Sequence, residues 1–462
     1  MTLPLTRRTL LLGTAASTLL AACTIPTSTA PPPIVFVHGN GDSAALWITT
    51  LWRFESNGWP RERLHAIDVP YPLARDDDTR PQEGRSSTLE NMQFLAAEID
   101  RVLQATGARQ LVLIANSRGG NTVRNYLANF GPPGSGASKV SHAILCGTPN
   151  HGVYADARRA PNSEFNGAGA FLAGLNAPKG PGGDEVTPGV KWLTIRSDSN
   201  DKYAQPDGAW IGAKGMATNV TFDGPALKGA ENVVIPGVDH RETAYSPKAF
   251  EQMLRFITGR PPVSPAIVPE TRVVLDGKVS GYLAYTAQGT VPTNLPLAGA
   301  AVEVFAVDPV GGERLGPAVH RKTIGADGRW GPFTADPQAR YEFVLAASGY
   351  ATTHLYRSAF PRSSSIVNLR VEKLLDADKD AAAVVILNRP RGYFGVPRDR
   401  VSLDGKSPPA GIPPGVAGVS SAKLRLADGA GRAVVGSFND ERLVGRAWPA
   451  ADNAVTYLEL SS

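Results

Sequence analysis

Cysteine is nearly absent from this chain. Its 462 residues hold only Cys23 and Cys146, so at most one disulfide can form and a fold stapled by several bridges is excluded. Histidine is scarce too, at seven. No stretch gathers His, Cys or carboxylates at metal-ligand spacing, so the expected chemistry uses no metal and no cofactor. Charge of one sign is also lacking: 47 basic against 42 acidic residues leave a formal +5, too small an excess over this length to suggest a nucleic-acid partner. Long apolar runs are missing, since the one apolar stretch near the N-terminus is too short to cross a bilayer as a mature helix. Turn-formers are plentiful, with 48 Gly and 38 Pro, in a chain long enough for two or three domains.

The N-terminus reads as a targeting segment. Thr6-Arg7-Arg8-Thr9-Leu10-Leu11-Leu12 and the Ala/Leu-rich run behind it have the form of a secretory signal with an arginine pair, the twin-arginine type. The run ends in Leu20-Ala21-Ala22-Cys23, which resembles the lipobox of bacterial lipoproteins. That resemblance implies a lipidated Cys23 as the mature N-terminus and association with a membrane through it. Residues 1–23 are then the signal and 24–33, rich in Thr and Pro, a short extended tether. The expected location is outside the cytoplasm, either membrane-anchored or secreted or periplasmic. With Cys23 lipidated, Cys146 has no partner and stability must come from packing.

Residues 34–260 alternate between strand and helix signals. Ile34-Val35-Phe36-Val37 begins a buried strand that runs into the tight loop His38-Gly39-Asn40-Gly41-Asp42. A capping box at Ser87 and Glu90 opens a helix whose apolar face is Met92, Leu95, Ala96, Ile99, Val102 and Leu103. Strands follow at 111–115, 142–146, 190–196 and 233–235, with a closing helix over 247–258. Strands separated by helices predict a mostly parallel sheet covered on both faces. Gly259 and Arg260-Pro261-Pro262 mark the end of this domain.

The chemistry centres on Ala115-Asn116-Ser117-Arg118-Gly119-Gly120. An apolar strand followed by Gly-Gly predicts a sharp turn into a helix, which lifts Ser117 off the sheet edge and sets the Arg118 backbone N–H where an oxyanion would develop. A serine nucleophile needs a base, and the base an orienter. His151 and His240 are the histidines that follow the next strand, and His240 stands between the last strand and the closing helix, where the base belongs. The acid comes from Ser197-Asp198-Ser199-Asn200-Asp201, with Asp201 preferred for its deeper place in the loop and Asp198 as the alternative. A second oxyanion donor is expected from the Asn40 backbone N–H, with Gly41 next. His38 reads as a loop-shaping residue, and Cys146 as a small buried hydrophobe.

At these residues the chain resembles the bacterial class 2 triacylglycerol lipases and esterases of the α/β-hydrolase superfamily, over roughly residues 32 to 260. Val37-His38-Gly39, the Ser117 segment, Gly147-Thr148-Pro149-Asn150-His151-Gly152 and Gly237-Val238-Asp239-His240 carry the resemblance. It implies Ser117 as nucleophile, His240 as base, an acid within 198–201, and backbone donors at Asn40 and Arg118. Asn116 stands where this family usually has His, and Arg118 where it commonly has Met or Gln, so acyl preference does not carry over.

From residue 266 the period changes to strands without helices. Residues 266–372 are expected to form a β-sandwich, and the series through Asp327-Gly328-Arg329-Trp330, Tyr341 and Gly349-Tyr350 resembles transthyretin-like or carboxypeptidase-regulatory modules. Residues 373–462 form a further β region, separate or completing the sandwich. Of Trp330, Tyr341, Tyr350, Tyr356, Tyr393 and Phe394, most are expected to be core and any left exposed could form an apolar strip. Every candidate catalytic residue lies upstream, so the chemistry is expected not to need 262–462, while the short proline linker predicts partial packing between the two parts. The leading function is a serine carboxylic-ester hydrolase acting on hydrophobic esters. The alternatives are an extracellular polyester depolymerase with an accessory binding module, and a non-catalytic surface binding lipoprotein. No oligomeric state is legible.

Overall fold

Four consecutive apolar residues, Ile34–Val37, are buried on both sides and make strand β1. The computed structural model describes residues 1, 30–205, 207–211, 214–216, 218–286 and 289–461; the arginine pair and Cys23 lie outside them. Residues 32–462 form one compact body. Its first layer runs β1, α1 (Ile48–Ser56), β2 (Leu64–Ile67), α2 (Thr88–Thr106), β3 (Leu111–Asn116), α3 (Arg118–Asn129), β4 (Val140–Cys146), α4 (Ala170–Leu175), β5 (Lys191–Ser197), β6 (Glu231–Ile235), α5 (Glu242–Tyr245) and α6 (Pro247–Thr258). The strand order is β2-β1-β3-β4-β5-β6, with every neighbour parallel.

Alternation along the strands divides this layer into two cores. Ile34, Phe36, Val112, Ile114 and Ile144 pack with Trp47, Trp52, Phe250 and Met253 of α1, α6 and the turn before α1. Val35, Val37, Leu111, Leu113 and Leu145 pack on the other face with Leu95, Ile99 and Val102 of α2 and Val123 and Tyr126 of α3. Helix α2 carries the capping box in full, Ser87 and Glu90 each bonding the other's backbone N–H. Helix α6 starts on Ser246 with Pro247 in its first turn and stops at Gly259, whose φ of 73° suits glycine.

The second part is built on a seven-stranded sheet of β7 (Ala301–Val307), β8 (His320–Thr323), β9 (Arg340–Ala346), β10 (Thr352–Arg357), β11 (Ala383–Asn388), β12 (Ser421–Leu426) and β13 (Ala454–Glu459). Its order is β8-β7-β9-β10-β13-β11-β12, so residues 266–372 and 373–462 contribute to one sheet. Strand β13 pairs in parallel with both β10 and β11, and the other pairs are antiparallel. A three-stranded sheet of Val401–Leu403, Ala433–Phe438 and Glu441–Arg446 shares a core with it through Val385, Leu387, Val434, Phe438 and Leu458. Trp330, Tyr341, Tyr356, Tyr393 and Phe394 are all buried.

The two parts share one core. Trp52, Phe250 and Met253 belong to the same continuous apolar cluster as Leu275, Phe360 and Ile366. Trp52 Nε1 donates to the Ser363 carbonyl at 2.8 Å, and Asn294 Nδ2 donates to the carbonyls of Asp42 and Val69 at 2.8 and 2.9 Å. Lys278 and Asp68 pair at 3.1 Å across the same boundary.

Candidate active site

Ser117 sits between β3 and α3 at φ 52°, ψ −123°, a conformation that costs a non-glycine residue about 1 to 3 kcal/mol. The surroundings leave it no alternative. Its N–H donates to the Cys146 carbonyl at 2.8 Å. A Cβ at Gly119 would stand 2.6 Å from the His38 carbonyl oxygen, and one at Gly120 would stand 1.9 Å from Thr148 Oγ1. The two glycines are therefore what lets the ends of β1 and of the loop after β4 close on α3. Arg118, the first residue of α3, presents its backbone N–H at a helix N-terminus.

His240 follows β6 and is buried. Its Nδ1 lies 2.7 Å from Asp201 Oδ2, and Asp201 is fixed by accepting the Tyr203 N–H on Oδ1 at 2.9 Å. The other ring nitrogen, Nε2, is buried without a hydrogen-bond partner. Ser117, His240 and Asn40 line one cavity of about 220 Å³, together with Val153, Tyr154, Phe165, Tyr203, Ile211 and Val220. Tyr203 holds the imidazole edge-on, with ring centroids 4.6 Å apart at 74°. A Cβ on Gly147, itself at φ 59°, would meet His240 Nδ1 at 3.3 Å and its carbonyl oxygen at 3.0 Å, so glycine is required there. Asp198 lies apart from the imidazole: it accepts the N–H groups of Asn200 and Gly237, both at 3.0 Å, and ties the two loops together.

The remaining sequence candidates fall in supporting places. His38 is buried, accepts the Val69 N–H on Nε2 at 3.0 Å and donates from Nδ1 to the Gly39 carbonyl at 2.8 Å, which fixes a neutral tautomer; burial lowers its pKa. It shapes the loop that carries Asn40, whose Oδ1 accepts the Ala74 N–H at 2.7 Å. His151 pairs with Glu185 at 3.0 Å. Burial pushes the Cys146 thiol up, and its carbonyl holds both Ser117 N–H and Asn116 Nδ2, the latter at 3.0 Å. Asn116 Nδ2 also reaches the His240 carbonyl at 3.4 Å, tying the elbow to the base loop. The Arg118 guanidinium is buried on Glu164, Pro72 and Ser86, while burial raises the Glu164 pKa against the pull of that guanidinium. Tyr203 was not singled out by the sequence, and Gly147 only as part of the 147–152 segment, with no role. A tyrosine two residues beyond the acid and a glycine closing β4 gave the only signals. Among the described residues, no group of three or more His, Cys, Asp or Glu could hold a metal ion, and no helix is long and apolar enough to cross a membrane.

An oriented imidazole with a free nitrogen, a serine on a strained elbow and a helix N-terminus in one cavity can carry out nucleophilic displacement at a carbonyl. Residues 32–183 match the family described as alpha/beta hydrolase fold, and residues 271–374 the one described as lipase C-terminal domain. A non-heme chloroperoxidase of Burkholderia pyrrocinia is 31% identical over 116 residues, 24% of this chain and 36% of that protein. The chain thus spans about a third of the length of the curated relative it matches. Among solved structures, the mature form of the Bacillus licheniformis lipase BlEst2 is 22% identical, covering 50% of this chain and 93% of its own, with a TM-score of 0.36. Its propeptide form is 14% identical, covering 69% and 90%, at 0.37. A monoacylglycerol lipase of Paleococcus ferrophilus is 12% identical, covering 50% and 96%, at 0.30. Residues 32–183 thus carry the α/β hydrolase fold, followed downstream by a region, 271–374, that matches a lipase C-terminal domain.

Proposed function

We propose that this hydrolase is a serine carboxylic-ester hydrolase acting on hydrophobic esters through an acyl-enzyme. The observation that carries the reading is the 2.7 Å contact between His240 Nδ1 and Asp201 Oδ2, with Nε2 buried and unpartnered and His240 lining the same cavity as Ser117. His240 takes the Ser117 hydroxyl proton as Oγ attacks the ester carbonyl, and Asp201 stabilises the resulting imidazolium. The oxyanion is held by the backbone N–H groups of Asn40 and Arg118, worth about 3 to 4 kcal/mol each in such a role. The imidazolium protonates the leaving alcohol, and water activated by the same nitrogen releases the acid. The apolar wall of Val153, Tyr154, Phe165, Ile211 and Val220 suits an uncharged acyl group. At about 220 Å³ the cavity is smaller than the roughly 300 to 1,000 Å³ of drug-sized ligand pockets, which favours acyl groups of modest size.

The test is turnover of p-nitrophenyl butyrate. S117A and H240A are each expected to fall by at least about a thousandfold with the fold intact, D201N by a large factor and D198N by a small one. A crippled D198N beside an active D201N would reassign the acid. Loss of fluorophosphonate labelling in S117A would identify the nucleophile, whereas an unlabelled parent would favour a non-catalytic protein. The polyester reading is weakened because, of the aromatic residues that could form an exposed binding strip, Trp330, Tyr341, Tyr356, Tyr393 and Phe394 are buried, with only Tyr350 half-buried.

We also propose export by the twin-arginine route and anchoring through lipid on Cys23, carried by Arg7-Arg8 and Leu20-Ala21-Ala22-Cys23. Metabolic labelling with a palmitate analogue is expected to disappear in C23A. A mature N-terminus found downstream of Cys23 would reject the anchor.

A further inference from the structure

The loop carrying His240 is held from the C-terminal domain. Asp239 is fully buried, and its Oδ1 accepts the N–H groups of Arg241 and Glu242 at 2.8 and 2.9 Å, folding the chain around His240. Its Oδ2 accepts Arg389 Nη1 and the Tyr393 N–H, both at 2.8 Å. Arg389 is 2% exposed and also donates from Nη2 to Glu242 Oε1 at 2.6 Å and to the Tyr245 hydroxyl at 2.8 Å. Its guanidinium lies 4.4 Å from the centre of the Phe438 ring. Gly392 makes room for it, since a Cβ there would stand 2.3 Å from Arg389 Cζ. Arg398 Nη1 adds bonds to Glu242 Oε2 at 2.7 Å and to the Gly237 carbonyl at 3.0 Å. The same segment meets the acid loop, where Asp201 forms a β-bridge with Ala417 and a Cβ on Gly418 would stand 2.1 Å from the Trp210 ring.

We propose that Arg389 is a positioning residue for His240, and that the segment 389–420 of the C-terminal domain holds the base and acid loops in catalytic register. The inference rests on the triad reading above. A guanidinium is a planar fork that can bond Asp239, Glu242 and Tyr245 at once in fixed directions, which an ammonium on a flexible stem does not reproduce. A loop freed by a fraction of an ångström misaligns the imidazole between Ser117 and Asp201, and that loss falls on the chemical step rather than on substrate binding.

The test uses the full chain. R389K keeps the charge, and its kcat on p-nitrophenyl butyrate, measured well below its melting temperature, is expected to drop about tenfold with KM within about twofold. R389A is expected to lose about a hundredfold or more; if it does not melt cooperatively, R389K alone decides. The far-downfield proton resonance of the His240 Nδ1–H···Asp201 bond, identified by its absence in H240A, is expected to shift or broaden in R389K. A purely stabilising role would lower the melting temperature and leave kcat and that resonance where they are. Folded R389K with parental kcat and an unmoved resonance, beside an inactive S117A, overturns the proposal alone. Active S117A and H240A overturn the triad reading and this inference with it.

Discussion

Lys202, next to the candidate acid, carries its charge where burial penalises it. Its ammonium lies 4.1 Å from the centre of the Tyr393 ring and 5.1 Å from that of Tyr203, with the Gly418 carbonyl at 3.5 Å. Burial first, and the Arg241 charge second, lower its pKa from 10.5 to about 8. Below about pH 8 both folded and unfolded chains hold the proton, and the penalty is present in full. Between about 8 and 10.5 the unfolded chain binds more proton than the folded one, so stability gains with rising pH. The melting temperature of the parent minus that of K202M is therefore expected to increase through this window. A difference flat with pH would reject the shifted lysine.

At the scale of elements, what the sequence revealed depended on how local the cause was. The Ser117 elbow was legible because an apolar strand, a serine and two glycines lie within ten residues, and the glycines are where backbone crowds backbone. Helices α2 and α6 were legible from their caps and one-sided apolar faces. Strand β10, Thr352–Arg357, carried no such pattern, because its buried face includes a polar residue: His354 Nδ1 meets Glu342 Oε1 at 2.7 Å, and its ring stacks on Trp448 at 4.1 Å. The stretch Ile366-Val367-Asn368-Leu369-Arg370-Val371 reads as a full strand, yet only Leu369–Arg370 forms one, against Val279–Ser280. Asp201 and Asp198 could be ranked but not resolved, since the reach of each to the imidazole depends on how β5 and β6 end relative to one another. Arg389 gave no signal at all. Its partners Asp239 and Glu242 lie about 150 residues upstream, and no spacing rule spans that distance.

For the whole molecule, the shared core decides how the chain responds to cutting. A chain ending at the proline linker would leave Trp52 without its Ser363 partner and cut the apolar cluster that joins the hydrolase layer to Leu275, Phe360 and Ile366, and an apolar surface left uncovered in that way drives association. Residues 30–260 expressed alone are expected to aggregate or to lack a cooperative melt. A soluble fragment with parental ester kinetics would show that the C-terminal domain is dispensable. The position of β13 adds a consequence in time. This strand, Ala454–Glu459, is synthesised after the other described strands, yet it lies between β10 and β11 inside its sheet. Until it emerges, β8-β7-β9-β10 on one side and β11-β12 on the other have no partner to join them. At about 5 to 20 residues per second, the hydrolase layer waits tens of seconds on the ribosome for its backing. The bracing proposed for the site loops therefore depends on a sheet that closes only when Ala454–Glu459 is in place, and a chain stalled before Ala454 is expected to lack it.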